Sequence, residues 1–509
     1  MKWGLIRAAI DREIWDNLRG RGAMLCYSGS ADDGYRISFD HDKVWHDQED
    51  RPGYEPRPWM THQVLPPIPR TRAGIGDGTA YVEDYQGNRT SETFDVWAAP
   101  SGSGSFTPQG LYRKWVVTVD EVFKGWDRVD ELPYEKDFWE AATRIRDAIR
   151  PLGSLSSPGE SYHAACRSLG LITHDPGAQG TTPPERMWAP QINGPVDRYV
   201  IPLQGTFLNL VVLGELLAAQ LDGLGNMWRS ARVAVMEIGQ RATAKMSGRK
   251  EFDVEALIKS AGWVLAASGL IALPVAVSIG LAATAITLSS AEEVINKIKD
   301  ESKEVIDLRA ALRGGAADEI IESVASTLNT DPRNGLEPQI EIDEADSIDL
   351  LGVAGTHIKN DNTVYIAKTG TYETCFTLNV SDVLVDTQDP ERGVVVDLER
   401  LRDAGKVFAD ELGEDLRSVS RGVQEAFSSD AAWVRPEIGA GAIGVRTTGP
   451  WPEWNGVRHE LVRILEETAV QVVEVGEYLI SAANYLERHD NSAREAMEKA
   501  GQELDGLFK

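Results

Sequence analysis

Two stretches hold the residue types that could do chemistry. The denser is Phe39-Asp40-His41-Asp42-Lys43-Val44-Trp45-His46-Asp47, whose imidazoles and carboxylates are donors a first-row metal would take. His41 and His46 stand five apart, which puts them on different faces of a helix and on opposite faces of a strand, so a ligand set would need a loop. A solvated polar loop is the plainer reading. The second set, His163, Cys166 and His174, brings a thiol near two imidazoles. No Gly-rich elbow and no partner acid stands with it, so neither a nucleophile nor a metal site follows. The chain has no phosphate loop, dinucleotide fingerprint or helical metalloprotease motif. No catalytic residue, cofactor or metal ligand is assigned. An enzyme survives only as a reading in which a site is assembled in three dimensions within the N-terminal domain.

The elements that would position any such groups differ along the chain. Of 24 prolines and 14 tryptophans, 17 and nine lie at or before residue 202, so the first part is loop-rich. Pro52 to Arg72 and Ala99 to Gln109 carry helix-breaking densities of Pro, Gly and Ser, while Tyr35-Arg36-Ile37-Ser38-Phe39 and Trp115-Val116-Val117-Thr118-Val119 read as short strands. The expectation for 1–130 is an irregular domain containing β-structure, its Trp residues anchoring core and loops rather than caging a ligand. From Tyr134 to Ile149, Phe138, Ala141, Ala142, Ile145 and Ile149 make an amphipathic helix that ends before Pro151. Leu208, Val211, Val212, Leu216, Leu217, Leu221, Leu224 and Trp228, then Val233, Val235, Ile238 and Ala242, predict a longer one, with Gly223 and Gly225 as candidate kink points.

The 32 residues from Ser260 to Ala291 carry no charge, more than the roughly 20 that span a bilayer as one helix. Within them Ser268, Ala272, Ala276, Gly280 and Thr284 recur every fourth residue, a small-residue face suited to close helix packing or membrane insertion. Pro274 divides the run. Burial in a bundle core and membrane insertion, as part of a pore, both fit. A helical stretch follows from Ala291 to about Asn329, with Ile320 and Val324 on its apolar side, and Asp331-Pro332-Arg333-Asn334-Gly335 reads as a linker. Thr363 to Ala367 and Cys375 to Val380 look like strands, so 336–395 is expected to be a small β insert.

The last unit, 396–509, is the best patterned. Leu398, Leu401, Phe408, Leu412, Leu416, Val419, Val423 and Phe427 form one apolar stripe, a Pro/Gly-rich connection runs from Ser428 to Pro452, and Trp454-Asn455-Gly456 opens a second helix. That helix carries Leu461, Leu465, Ala469, Val472, Val475, Leu479, Ala482 and Leu486 at near-heptad spacing. This arrangement of helix, Trp-X-Gly and helix over about 110 residues resembles the WXG family and the EspC-like proteins associated with type VII secretion. Gly476 to Lys509, with Tyr485, Asp490 and the closing Asp505-Gly506-Leu507-Phe508, is similar to the C-terminal helix of the EspC-like proteins. The stretch from Trp188 to Ala244 with the uncharged run after it resembles larger substrates of that system. The resemblance implies that Trp454 packs into the hairpin end, that Gly456 permits a tight backbone there, and that the hairpin meets a helical partner or a second copy. The family's export signal places an acid four residues after Tyr; here His489 holds that position after Tyr485, and Asp490 follows it.

With 52 Lys+Arg against 79 Asp+Glu, the net charge of −27 repels phosphate backbones and argues against nucleic acid as a partner. Cys26, Cys166 and Cys375 are few and scattered, which suggests reduced thiols. The start, Met1 to Arg7, lacks the apolar core of a secretory signal. The sequence therefore predicts an α+β protein, mainly helical, in four units: 1–130, 131–330, 336–395 and 396–509. Its expected role is that of a type VII secretion-associated substrate or assembly scaffold, placed outside the cell or in the envelope by a route independent of a signal peptide. The alternatives are a pore-forming protein built on 260–291 and an enzyme with helical adaptor domains and its site in the N-terminal domain; the alternative location is the cytoplasm. Sedimentation of the full chain with liposomes in the absence of detergent separates these: co-sedimentation is expected if 260–291 inserts, and protein that stays in the supernatant places that run in a core.

Overall fold

A computed structural model describes residues 2–20, 25–39, 62–65, 77–83, 89–95, most of 108–174, 200–247, 316–330, 335–360, 377–378 and most of 396–507, with isolated positions between them. The protein is mostly helical with a few short strands. The strand-bearing part comes first. Helix α1, Lys2–Gly20, precedes β1, Leu25–Ser30, β2, Gly34–Phe39, β3, His62–Leu65, β4, Asp77–Glu83, and β5, Arg89–Asp95, which pair antiparallel in sequence order. Tyr35 to Phe39 is thus the strand its alternation predicts, facing β1 with Tyr27 opposite Ile37.

Trp115 to Val119 is not a strand. It lies inside α2, Pro108–Val122. Leu111, Tyr112, Trp115, Val116 and Val119 are all buried, a spacing of three and four that one helix face provides and a strand does not. The local preference of β-branched residues for strands yields to that packing.

Helix α3, Glu135–Ile149, buries Phe138, Ala141, Ala142, Ile145 and Ile149, the stripe expected from the sequence. Glu135 and Asp137 sit in its first turn and Arg146 in its last, as the helix dipole favours. It lies antiparallel along α5, Ile201–Met246, whose first turn holds Pro202. Arg146 bridges to Glu215 at 3.1 Å and Asp222 at 2.6 Å, and Arg232 reaches back to Glu135 at 2.6 Å. α5 runs as one unbroken helix through Gly223 and Gly225. Gly225 serves contact: a Cβ there would stand 2.6 Å from the Trp139 indole nitrogen.

Between α3 and α5 lie the short strands β6, Gly153–Ser154, and β7, Ser157–Pro158, then α4, Glu160–Ser168, and β8, Ile172–His174. After α5, residues 248–315 lie outside the described residues, and with them the whole uncharged run and its Ser268, Ala272, Ala276, Gly280 and Thr284. The chain is described again in α6, Ala317–Ala325, which buries Ile320 and Val324 and runs into a π-helical turn, Ser326–Thr330.

Residues 336–360, read from sequence as the start of a β insert, form α7, Leu336–Asn360. Leu336, Ile340, Glu344, Ser347 and Leu351 are buried at intervals of three and four, and Pro338 falls in the first turn, where it leaves no hydrogen bond unmade. Thr363 to Ala367 lies outside the described residues. Of the second expected strand, β9, Thr377–Leu378, pairs with β8.

The C-terminal hairpin follows the sequence pattern closely. Its first arm is α8, Leu398–Lys406, a π-helical turn, Val407–Leu412, and α9, Gly413–Glu425. Asp397 caps α8 by accepting from the Arg400 N–H at 3.1 Å. Buried Ala404, Phe408, Leu412 and Leu416 succeed one another at four-residue steps, which would drift around a regular α-helix; the wider π turn at this point keeps them facing one way. The second arm is α10, Trp451–Leu507. Ser420 meets Glu466 at 3.3 Å near one end of the hairpin, and Arg402 meets Asn484 at 3.2 Å near the other. In the middle the backbones touch: a Cβ on Gly476 would lie 2.5 Å from the Gly405 carbonyl oxygen. Gly476→Ala is therefore expected to destabilise the protein by about 1–3 kcal/mol, whereas Gly456→Ala, where a Cβ meets nothing within 4 Å, is expected to be neutral or to add up to about 1 kcal/mol. Denaturant unfolding of the two variants checks the contrast.

Candidate functional site

The chemically unusual part of the described structure lies where α5, α7 and α10 meet the connection that precedes α10. That connection holds a 3-10 turn, Ala431–Trp433, and the strands β10, Glu437–Ile438, and β11, Gly441–Ala442. Arg435 enters the core there with 1% of its side chain exposed and grips Glu344 of α7, which is 0% exposed. Nη1 donates to Glu344 Oε2 at 2.7 Å and Nη2 to Oε1, the bidentate geometry that makes arginine the usual partner of a buried carboxylate. Nη1 also donates to the Ile443 carbonyl at 2.8 Å, and the Val445 N–H donates to Glu344 at 3.0 Å. The guanidinium lies over the Trp228 ring of α5, 4.7 Å from its centre.

The loop 443–449 is shaped around this pair. Gly444 and Gly449 have φ of +85° and +50°, and a Cβ on either would fall 2.3 Å from Glu344 Oε2 or 2.0 Å from Arg435 Nη2. Glycine is needed at both for backbone and space. Burial pushes the Glu344 carboxyl up from its ordinary value, against the opposing pull of Arg435, the Val445 N–H and Arg446. Beside it, Asp343 is 4% exposed. Its Oδ1 accepts from Gln339 at 2.9 Å, and its Oδ2 has no hydrogen-bond partner. Burial raises this carboxyl to about 7. One turn on, Ser347 donates to Gln220 of α5 at 2.7 Å, leaving the Gln220 amide nitrogen unpartnered.

An aromatic cluster adjoins the polar one. Trp433, Trp451, Trp454, Phe427 and Phe138 pack with ring centres between 4.9 and 6.2 Å apart. Trp454 is fully buried at the hairpin end, and its indole N–H donates to the Leu217 carbonyl of α5 at 3.2 Å. The stretch thus ties the hairpin to the central helix. Gly456 does not have the role the resemblance implies. It is exposed within α10, with no positive φ and no close neighbour, so the turn is made upstream at 443–450.

The remaining residues singled out by sequence lie apart from this junction. Tyr485 and Asp490 are exposed on α10, and the Tyr485 ring rests 4.2 Å from the His489 ring. Val470, Tyr478 and Tyr485 are 53%, 48% and 50% exposed; steps of eight and seven residues put all three on one side of the helix. Cys166 is fully buried in α4, and burial pushes its thiol up to about 12, which leaves no thiolate to attack a substrate near neutral pH. Burial also lowers His163 below its ordinary value, with Arg167 adding to the effect. Asp40 to Asp47 lies outside the described residues. Among the described residues no group of three or more His, Cys, Asp and Glu side chains is placed to hold a metal ion. One helix there, Leu203–Met246, is long and apolar enough to cross a membrane by length and composition, and 76% of its most apolar window is buried inside the protein.

Sequence reasoning missed Glu344 and Arg435. The available signal was an acid at 344 on the stripe of Ile340, Ser347 and Leu351, hidden once 336–395 was read as β-structure. No family model, curated protein or solved structure matches the chain. Fold and junction define a helical-bundle protein whose C-terminal hairpin is fastened to a buried central helix. Glu344→Gln, which strands a buried guanidinium, is expected to cost about 3–5 kcal/mol, and the joint replacement Glu344→Leu with Arg435→Met to recover most of that loss; unfolding free energies of the single and double variants are the check.

Proposed function

We propose that the protein is a helical scaffold that acts by docking a helical partner, or a second copy, along α10, and that it works in type VII secretion as a substrate or assembly factor. The observation that carries this reading is the two-sided character of α10. One side is closed over by α8 and α9, while Val470, Tyr478 and Tyr485 stand half exposed on another. Aromatic residues presented on a rigid helix are favoured anchors for a partner because they lose little side-chain entropy. The secretion assignment draws on the resemblance carried by Trp454-Asn455-Gly456 and by the stretch from Gly476 to Lys509, and supposes export without a signal peptide. In this reading the α+β first unit, 1–130, and the region 336–395 are parts of the scaffold itself, since α1 and α7 pack on α5.

The docking claim is tested in cells with a photo-activated cross-linking residue at Tyr478. A helical protein or a second copy is expected to be trapped from that position and not from Glu411, which is exposed on the other arm. Recovery of no adduct from Tyr478 would overturn it. The secretion claim is tested separately: the protein is expected in the medium of a strain with an intact type VII apparatus and absent from it when the apparatus is deleted.

A further inference from the structure

The junction holds two adjacent buried carboxyls, Asp343 and Glu344, and the guanidinium beside them, Arg435, is committed to the second. Arg435 cannot turn to Asp343. Its Nη atoms are held by Glu344 and by the carbonyls of Ile443 and Arg446, at 2.8 and 3.2 Å, and the turns at Gly444 and Gly449 close on it. Asp343 Oδ2 meanwhile faces no donor. An ionised carboxylate in that position would keep a bare oxygen out of water, beside another negative charge.

We propose that Asp343 makes α7 a proton-operated latch: with a proton on Asp343 the helix stays docked on α5 and α10, and loss of that proton to solvent releases it. The opened state hydrates the carboxylate, which is where the driving force lies. Opening uncovers Ile340, Leu350 and Leu351 of α7.

Among the described residues around it, no cation is free to neutralise the anion in place. On α7 itself the charges acting on Asp343 are Asp346 and Glu344, both of its own sign. In the connection, Arg446 donates to the Gly449 carbonyl at 2.8 Å and pairs with Glu453 of α10 at 2.5 Å. Also on α10, Arg458 is spent on Asn455 and on the carbonyls of Gln424 and Phe427. α5 offers Gln220, which is neutral, and the π-helical turn after α6 offers Thr327, whose hydroxyl donates to the Ser323 carbonyl at 2.8 Å.

The sign follows from the raised carboxyl. Burial holds its midpoint at about 7 when docked, against an ordinary value of 3.8, so the stabilising proton is fully present below the lower value and is lost as pH rises through the higher. Opening of α7 should then grow by up to about tenfold per pH unit between about pH 4 and pH 7 and level off above that.

The test is amide hydrogen exchange on the full chain, taking the ratio of α7 rates to α3 rates so that the intrinsic pH dependence of exchange cancels. In the wild type this ratio is expected to climb roughly tenfold per unit from about pH 5 to pH 7 and then flatten. In Asp343→Asn the climb should be markedly shallower, with only the contribution of the raised Glu344 remaining, and in Asp346→Asn, which removes a like charge acting on Asp343, it should persist but flatten at a lower pH. A wild-type ratio that does not change with pH overturns the latch, as does a rise shared equally by α3, or a rise as steep in Asp343→Asn as in the wild type. If that variant does not fold, the carboxyl signal of Asp343 in isotope-labelled wild type decides: its titration must coincide with the loss of α7 protection.

Discussion

A helix that is apolar on every side can persist in water only if something covers every side, and α5 sets that requirement for the whole protein. Leu216, Leu217, Ala218, Ala219 and Leu221 are all buried along it, and near-consecutive positions, about 100° apart, face every side of a helix. The cover comes from many parts of the sequence: α1 and α3 from before it, α6, α7 and α10 from after it. Each of those helices is amphipathic and brings one stripe. This explains why elements hundreds of residues apart must assemble together, and why the described helices share one continuous apolar core.

Against that apolar background the Glu344–Arg435 pair is an expensive choice. Removing two charges from water costs several kcal/mol per ion, and mutual attraction with good geometry recovers that cost only in part. What the pair adds is direction. Apolar side chains slide past one another with small penalties, whereas a bidentate arginine accepts one carboxylate in one orientation. It therefore fixes where α7 sits on α5 and how the 443–449 loop folds before α10 begins. The aromatic cluster beside it works less selectively, through area and edge-to-face packing.

Much of the helical architecture was legible because amphipathic stripes are a strong local signal. α3, α5 and the two arms of the hairpin lie where the spacing of apolar residues placed them, and even the π turn has its trace in the four-residue steps from Ala404 to Leu416. The failures share a cause. Trp115 to Val119 has strand-like residues, and 336–360 adjoins strand-like ones, so local preference pointed away from structures that only burial against distant helices selects. Gly225 shows the same limit, because a glycine that admits Trp139 cannot be told in sequence from one that bends a helix. The candidate junction was least legible of all. A buried ion pair depends on two residues 91 positions apart, and nothing local marks Arg435 as different from an arginine at the surface.

The length of α10 has a mechanical meaning. At ~1.5 Å per residue, its 57 residues form a rod roughly 85 Å long. Its first turns are clamped by Trp451 and Trp454, while its last stretch runs past the point where Arg402 of α8 reaches Glu487. Such a rod is a ruler as well as a wall of the core. Whatever engages the neighbourhood of Tyr485 is held at a set distance from the aromatic clamp, and a force applied at the far end is delivered, with the advantage of a lever, to the junction where the buried charges lie.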